Sequence, residues 1–500
     1  MAKKVGKTQK IQTVSLADLT GGMNVSSSPE FIEDNECVRL ENFEFDIEGN
    51  KLRTRRGLGS PLFTFDSPIS HVYNDYALNT FFVFLKNKNI YRYEFGKTPV
   101  FIGVLNGTSD RPICCKFGGN LLIASGSKLQ KYDYQSLKEI STSPDADIVF
   151  VRAGRVVVTK SGQDLLVYSA IGNDEDWHEN SNDASARKDV NVGYKDDGDI
   201  LGVTSLATDL IVFKSNGYIY DVQNEPEDWN IIQIGDNSDF LSLHACTNIN
   251  TDAVFLSNYG LRSVATSQSY ANFEKKDIGE KCNPSIKSRV DKPFLSELKR
   301  TKQLLVSGYS GNEVWCYHYA LKAFSKWVFP WPITAICENR YHVLVAMNKG
   351  NTGGLYELSW DNTTDDGLKI PQYIESKELR DTHEMNVYRT YIDIQAEHEG
   401  DGVIRINSVE MPYHWTSDEQ QKEMKSQIRA PRLRFYFKTD DPIIFKFISF
   451  DVVMERESMV SQGSSSSRPS GGLSGARSKK NGNHDNFLQG VGKHGNTPYG

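Results

Sequence analysis

The chain is poor in the residues that carry chemistry. Its ten histidines are dispersed over 500 residues, with no H-x-x-x-H or H-E-x-x-H pair to seat a zinc ion. Its seven cysteines are odd in number and scattered, with no C-x-x-C spacing, and the adjacent pair Cys114–Cys115 cannot easily close a relaxed disulfide. They read as reduced thiols filling core positions, which suits a protein made in the cytoplasm. No G-x-x-x-x-G-K-[ST] phosphate loop occurs, and Gly57-Leu-Gly59-Ser-Pro-Leu lacks the last glycine of a dinucleotide fingerprint. Gly308-Tyr-Ser310-Gly311 is one residue short of a nucleophile elbow, and Ser125-Gly-Ser-Lys128 matches S-x-x-K without a companion motif. The longest apolar runs, such as Thr80–Leu85 and Trp327–Ile336, fall far short of the roughly 20 residues that cross a bilayer, so no membrane insertion is expected. The opening Met-Ala-Lys-Lys-Val-Gly-Lys has no apolar stretch of the kind a secretory leader needs. No enzyme activity, cofactor or metal is expected.

Aromatics and short β-forming runs are plentiful. Tyr and Phe number 23 and 25, while hydrophobic residues make up 38% and the mean hydropathy is −0.48. That combination suits many half-exposed sheets with a large wet surface. The run Leu210–Val222 shows the unit: an apolar stretch, a Ser-Asn-Gly turn, and a second alternating stretch. Asn-Gly between β-formers is a strong hairpin signal, because a primed turn needs positive φ at both central residues. The hairpin recurs as Phe81–Leu85 with Ile90–Glu94, Asn120–Ala124 with Lys128–Tyr134, and Arg155–Thr159 with Leu165–Tyr168. It recurs again as Ala253–Leu256 with Leu261–Val264, Lys302–Ser307 with Glu313–Tyr319, and His342–Ala346 with Leu355–Leu358. Repeats about 35–55 residues apart are the period of propeller blades. The fold class predicted is all-β: a β-propeller of six or seven blades with an inserted helical loop and a small C-terminal β segment.

The organisation read from the sequence has five parts. Residues 1–15 form a flexible basic arm, 16–69 an N-terminal docking segment, and 70–369 the propeller; 370–457 form a C-terminal β segment, and 458–500 a Ser/Gly-rich basic tail that should be disordered. Two insertions interrupt the repeats. Gly172–Asp199 reads as a long loop. Asn272–Lys302 reads as a capped helix or helix pair, with Asn283, Ile286, Val290 and Leu295 as candidate subunit contacts, or as local packing on the propeller rim. Ser417–Gln420 reads as a capping box opening a short polar helix through Arg429.

Three groups of side chains invite a functional reading. Asp174–Asp176, Asp196–Asp199 and Asp361–Asp366 could ligate calcium, but none has the full spacing of a calcium loop, and solvated loops are the preferred reading. Trp315, Trp327, Phe329 and Trp331, and separately Trp177, could stack a sugar, but a core between blades is preferred for the cluster. Lys51–Arg56 carries four positive charges, which could contact phosphate; a solvated strand edge is preferred. The charge itself is uneven. Residues 1–12 and 458–500 each carry +4, which leaves the body between them at −15 against −7 for the whole chain. An acidic body binds nucleic acid poorly but suits a surface that DNA must pass without sticking.

The N-terminal segment also carries a motif: a Gly-Gly-Met-Asn opening, Leu-Glu-Asn-Phe with Asn42, then Asp46, Gly49, Leu52-Arg53 and Arg56-Gly57. In this order, ahead of hairpin repeats and a closing β segment, it resembles the start of the tail-nozzle, or packaged-DNA stabilisation, proteins of short-tailed bacteriophages. The motif covers about 45 residues; the remaining likeness is in layout, which propellers share widely. The resemblance implies a virion protein made in the host cytoplasm: a homohexameric ring below the portal and adaptor proteins, which retains packaged double-stranded DNA and later conducts it. Tail fibres or a tail needle would be further partners. The alternative is a receptor-binding or glycan-cleaving propeller of a phage tail, which would gather carboxylates and aromatics at one mouth of the ring.

Overall fold

Each of the seven sequence hairpins becomes the second and third strands of a four-stranded antiparallel blade of one propeller; six blades are separate sheets, and the sixth in chain order continues into a 14-stranded sheet. In this computed structural model the described residues are 11–455, apart from 17–18, 47–50, 161, 207–208, 225–227, 237, 251, 267–272, 290 and 310. Most of the basic arm and the whole tail therefore lie outside the described residues. Blades one to six start on the inner strands Ile69–Asp75, Ile113–Phe117, Ile148–Arg152, Ile200–Leu206, Cys246–Ile249 and Pro293–Leu298. Blade seven starts on Ile333–Glu338, and its outermost strand is Phe63–Phe65, contributed by the N-terminal segment. The ring is thus closed by residues upstream of position 70. Blades one and seven meet through the Ile69 amide on Asn348 Oδ1 (2.8 Å) and Asn74 Nδ2 on the Glu338 carbonyl (2.5 Å).

The apolar runs are continuous because each second strand lies between two neighbouring sheets and is buried on both faces. In Thr80–Leu85, Phe81, Val83 and Leu85 pack against Leu344 and Ala346 of blade seven, while Phe82 and Phe84 pack against Leu121 and Ile123 of blade two. Period-two side chains serve two interfaces at once. At the Asn216-Gly217 turn only Gly217 has positive φ, and the Lys214 amide donates to the Tyr218 carbonyl across it (3.0 Å), so the connection is not the tight primed turn expected.

The C-terminal segment is a platform of long antiparallel strands. Its central strand, Gln372–Gln395, pairs with Gln421–Thr439 on one side; on the other it pairs first with Glu36–Glu41 and then with Ile444–Glu455. Strands Gly400–Ile406 and Val409–Trp415 extend one edge, and Ile11–Leu16 pairs with Ile444–Glu455 at the other. Residues 11–15 are therefore a paired strand and not part of a flexible arm. The platform joins blade six through Glu36–Glu41, which bridges to Lys326 in parallel.

Three further expectations are corrected. The polar helix predicted through Arg429 is the strand Gln421–Thr439, because Ser426 and Ile428, at period two, turn into the core and override the helix-forming composition. The helical insertion is one short helix, Asn283–Arg289; Pro293–Leu298, with Leu295, is the inner strand of blade six. The loop Gly172–Asp199 contains Lys188–Asn191, the outer strand of blade three. Among the described residues no helix is long and apolar enough to cross a membrane.

Candidate functional site

The stretch Asn42–Gly57 lies where ring and platform meet, and it forms an interlock. Asn42 sits at φ 61° between the strands Glu36–Glu41 and Phe43–Asp46, a left-handed conformation that Asn tolerates better than most residues. Its Nδ2 donates to the Pro371 carbonyl (2.6 Å), while its Oδ1 accepts from the Val328 amide (2.7 Å) and from Arg55 Nε (2.9 Å). One buried amide thereby joins the outer strand of blade six, the entry to the platform, and the N-terminal hairpin.

Arg55 extends the interlock. Its guanidinium forms a bidentate ion pair with Asp365, donates to the Arg56 and Val328 carbonyls (2.9 Å each), and lies 4.2 Å over the Phe329 ring. With Nε on Asn42, all five N–H groups have acceptors, which is what a buried guanidinium requires. Arg56 pairs with Glu44 (3.0 Å) and donates to Gln303 Oε1 (3.1 Å) on the second strand of blade six. Gly57 packs so tightly that a Cβ there would stand 2.5 Å from the Asn362 carbonyl oxygen. Leu52 is buried, and Arg53 stacks at 4.1 Å on Trp360, beside a cleft of about 630 Å³ that His398 and Asp441 also line. Gly49 lies outside the described residues.

The basic run is therefore not a solvated edge. Arg55 and Arg56 are buried because the fold brings a carboxylate to each, Asp365 from 310 positions away and Glu44 from 12. Glu44, Gln303 and Asp365 gave no sequence signal of this role. The acidic loops turn inward only in part: Asp174 is buried and pairs with Lys131 (3.0 Å), and Asp196 pairs with Lys214 (2.5 Å), whereas Glu175, Asp197, Asp199 and Asp361 are exposed, as solvated loops would be. Burial works against the Asp196 charge, but hydrogen bonds from Lys214 and Tyr220 hold its carboxyl below the usual range. No cluster of three or more His, Cys, Asp or Glu arranged to hold a metal occurs among the described residues.

Two of the candidate subunit contacts are buried. Ile286 is fully buried, and Asn283 is spent inside blade five, accepting from the Leu261 amide (2.9 Å) and donating to Asp277 (2.6 Å). Leu295 is a half-buried inner-strand residue, and Val290 lies outside the described residues. Trp177, Trp315 and Trp327 are core residues, leaving no sugar-stacking face at those positions.

The propeller axis is closed at one end. His71 of blade one and His244, just before the inner strand of blade five, touch across the ring with centroids 4.9 Å apart. His244 Nε2 lies 3.2 Å from the Arg111 carbonyl, and the Arg111 guanidinium lies 4.5 Å over Tyr309 of blade six. Residues from four blades thus meet where an individual propeller has its central channel.

The class is set by these sheets: an all-β protein built on a seven-bladed β-propeller, with a strand platform locked to it. No family model matches the chain, and no curated protein matches it. Among solved structures it is similar to BamB from Moraxella catarrhalis (11% identity, 58% of this chain and 84% of that one, TM-score 0.37). It is also similar to the Cps50 (Swd1) β-propeller domain of Myceliophteria thermophila (10% identity, 60% of this chain and 99% of that one, TM-score 0.42). A computationally designed protein, Ika8, matches at 8% identity over 60% of this chain and 99% of its own, with TM-score 0.40.

Proposed function

We propose that this chain is a structural subunit of a bacteriophage tail nozzle: copies assemble into a ring below the portal and adaptor, retain packaged DNA and conduct it on ejection. The observation that carries this reading is the interlock. The residues of the nozzle-like motif, Asn42, Arg56 and Gly57 with Arg55 between, join propeller to platform and so make one stiff wall element from two parts. The closed axis adds a constraint on the path: DNA passes through the lumen between copies and not through any one propeller. The acidic body keeps that lumen slippery, since phosphate affinity comes from Lys and Arg displacing counterions.

A cyclic ring needs two different matching faces on each subunit. With Asn283 and Ile286 buried, the platform supplies the better pair. Its two lateral strands, Ile11–Leu16 and Val409–Trp415, each have one edge without a strand partner among the described residues, and open edges accept strands from other chains. The test is light scattering with negative-stain microscopy of the purified protein, alone and mixed with a portal–adaptor complex. A six-fold particle on the adaptor is expected. A protein that stays monomeric in both samples overturns the reading.

A further inference from the structure

The closed end of the propeller axis holds a positive charge that the protein itself does not balance. Arg111 stands just before the inner strand of blade two, among His71, His244, Phe294 and Tyr309. Its Nε and Nη2 are buried and have no hydrogen-bond partner, and among the described residues no carboxylate lies within ion-pair reach of it. Two more buried polar atoms in the same cluster are also unpartnered, Nδ1 of His71 and the hydroxyl of Tyr309. Stacking on Tyr309 and Phe294 (5.6 Å) compensates the guanidinium in part. It leaves the Nε and Nη2 N–H groups unsatisfied, at a desolvation cost.

Arginine cannot relieve that cost by losing its proton. Its countercharge must come from elsewhere. Asp110 acts on Arg111 through its field but makes no ion pair with it. The neighbouring imidazoles are not rival cations: burial, with the charge of Arg111 adding to it, holds His71 well below the ordinary range and pulls His244 down to about 3. Burial pushes the Tyr309 phenol up to about 12, so it remains a donor at neutral pH. At the mouth, the exposed Lys86 ammonium stands 5.6 Å from the Tyr309 ring and adds to the positive field. A planar N–H fork, a phenolic O–H and an imidazole nitrogen free to carry its proton form a donor set for an oxygen-rich anion.

We propose that this axial site binds a small inorganic oxyanion of the phosphate or sulfate type, gripped by Arg111 Nε and Nη2 and further bound by Tyr309 and His71. The anion neutralises Arg111 and pins blades one, two and six together at the point where the ring is stoppered. The site is independent of the nozzle reading, since it needs only the folded propeller.

The test is calorimetric titration and thermal unfolding of the full-length protein with inorganic phosphate, with sulfate, and with chloride at matched ionic strength. A short single-stranded oligonucleotide serves as a phosphodiester control. Saturable phosphate or sulfate binding with a rise in Tm is expected, and chloride should give neither. Tyr309→Phe keeps the ring and removes one donor, and should weaken binding about ten-fold. Arg111→Met should abolish it. Should Arg111→Met fail to fold, Tyr309→Phe alone decides. Absence of saturable binding, which leaves water to satisfy these groups, overturns the proposal. So does an unchanged affinity in Tyr309→Phe, or binding of the oligonucleotide without binding of phosphate.

Discussion

Two arginines with buried nitrogens are treated in opposite ways in this molecule. Arg55 has all five N–H groups on protein acceptors, with Asp365 as its counterion. Arg111 has two buried nitrogens without any acceptor. The difference follows from what each region does. At the interlock, the charge is part of the join between ring and platform, so the fold supplies the partner. At the axis, Arg111, His71 and Tyr309 are left with unpartnered buried nitrogens and a hydroxyl, and the proposed partner comes from solution. A third buried charge sharpens the contrast. Asp221, in the third strand of blade four, feels Arg152 through its field, but burial outweighs it and pushes the carboxyl up to about 6. A carboxylate can escape by taking a proton, whereas a guanidinium cannot.

The largest effect is expected from breaking the satisfied site. Arg55→Met strands Asp365 in the interior and removes acceptors' partners at Asn42, Arg56 and Val328, at a cost of about 3–5 kcal/mol. Denaturant unfolding reads this as a lower midpoint. Asn42→Ala removes three side-chain hydrogen bonds and puts alanine at positive φ; a loss of about 2–3 kcal/mol is expected by the same measurement.

The Asp221 effect is smaller and depends on pH. Its folded value, about 6, lies above the roughly 3.9 of an unfolded aspartate. Between these values the native state binds more protons than the unfolded state, so this group's contribution makes stability fall as pH rises from about 4 to about 6. The stability of the wild type relative to Asp221→Asn should therefore fall by about 1–2 kcal/mol across that window and then level off. A flat difference would mean that the carboxyl titrates normally. The smallest effect is expected at the orphan: in buffer free of phosphate and sulfate, Arg111→Met should be neutral or stabilising by about 1 kcal/mol, since an unpaired buried charge is replaced by an apolar chain of similar length. A loss as large as that of Arg55→Met would erase the contrast between the two arginines.

How far the sequence discloses this molecule depends on the range of the interactions. The blades are legible because the cores of second strands, such as Phe81–Leu85 and Leu210–Phe213, are buried on both faces and are apolar without a break. The interlock is not. Lys51–Arg56 reads as a charged edge when nothing in the local sequence announces Asp365 or Gln303, which reach it only through the closed ring. Asp365 itself sits in a run that resembles a solvated acidic loop. Gln421–Arg429 misleads for another reason: its residues favour helix, and only pairing with the long central strand makes their period-two pattern count. Ile286 reads equally as a surface contact or a core residue until the strands around its short helix are in place.

On the function proposed above, this chain is a wall element whose lumen lies between copies. Electron microscopy of the protein bound to a portal–adaptor complex tests it most directly. Six subunits around a common axis are expected, each propeller displaced from that axis and closed at His71, Arg111 and His244. An adaptor left bare, or a passage running through a single propeller, would contradict it.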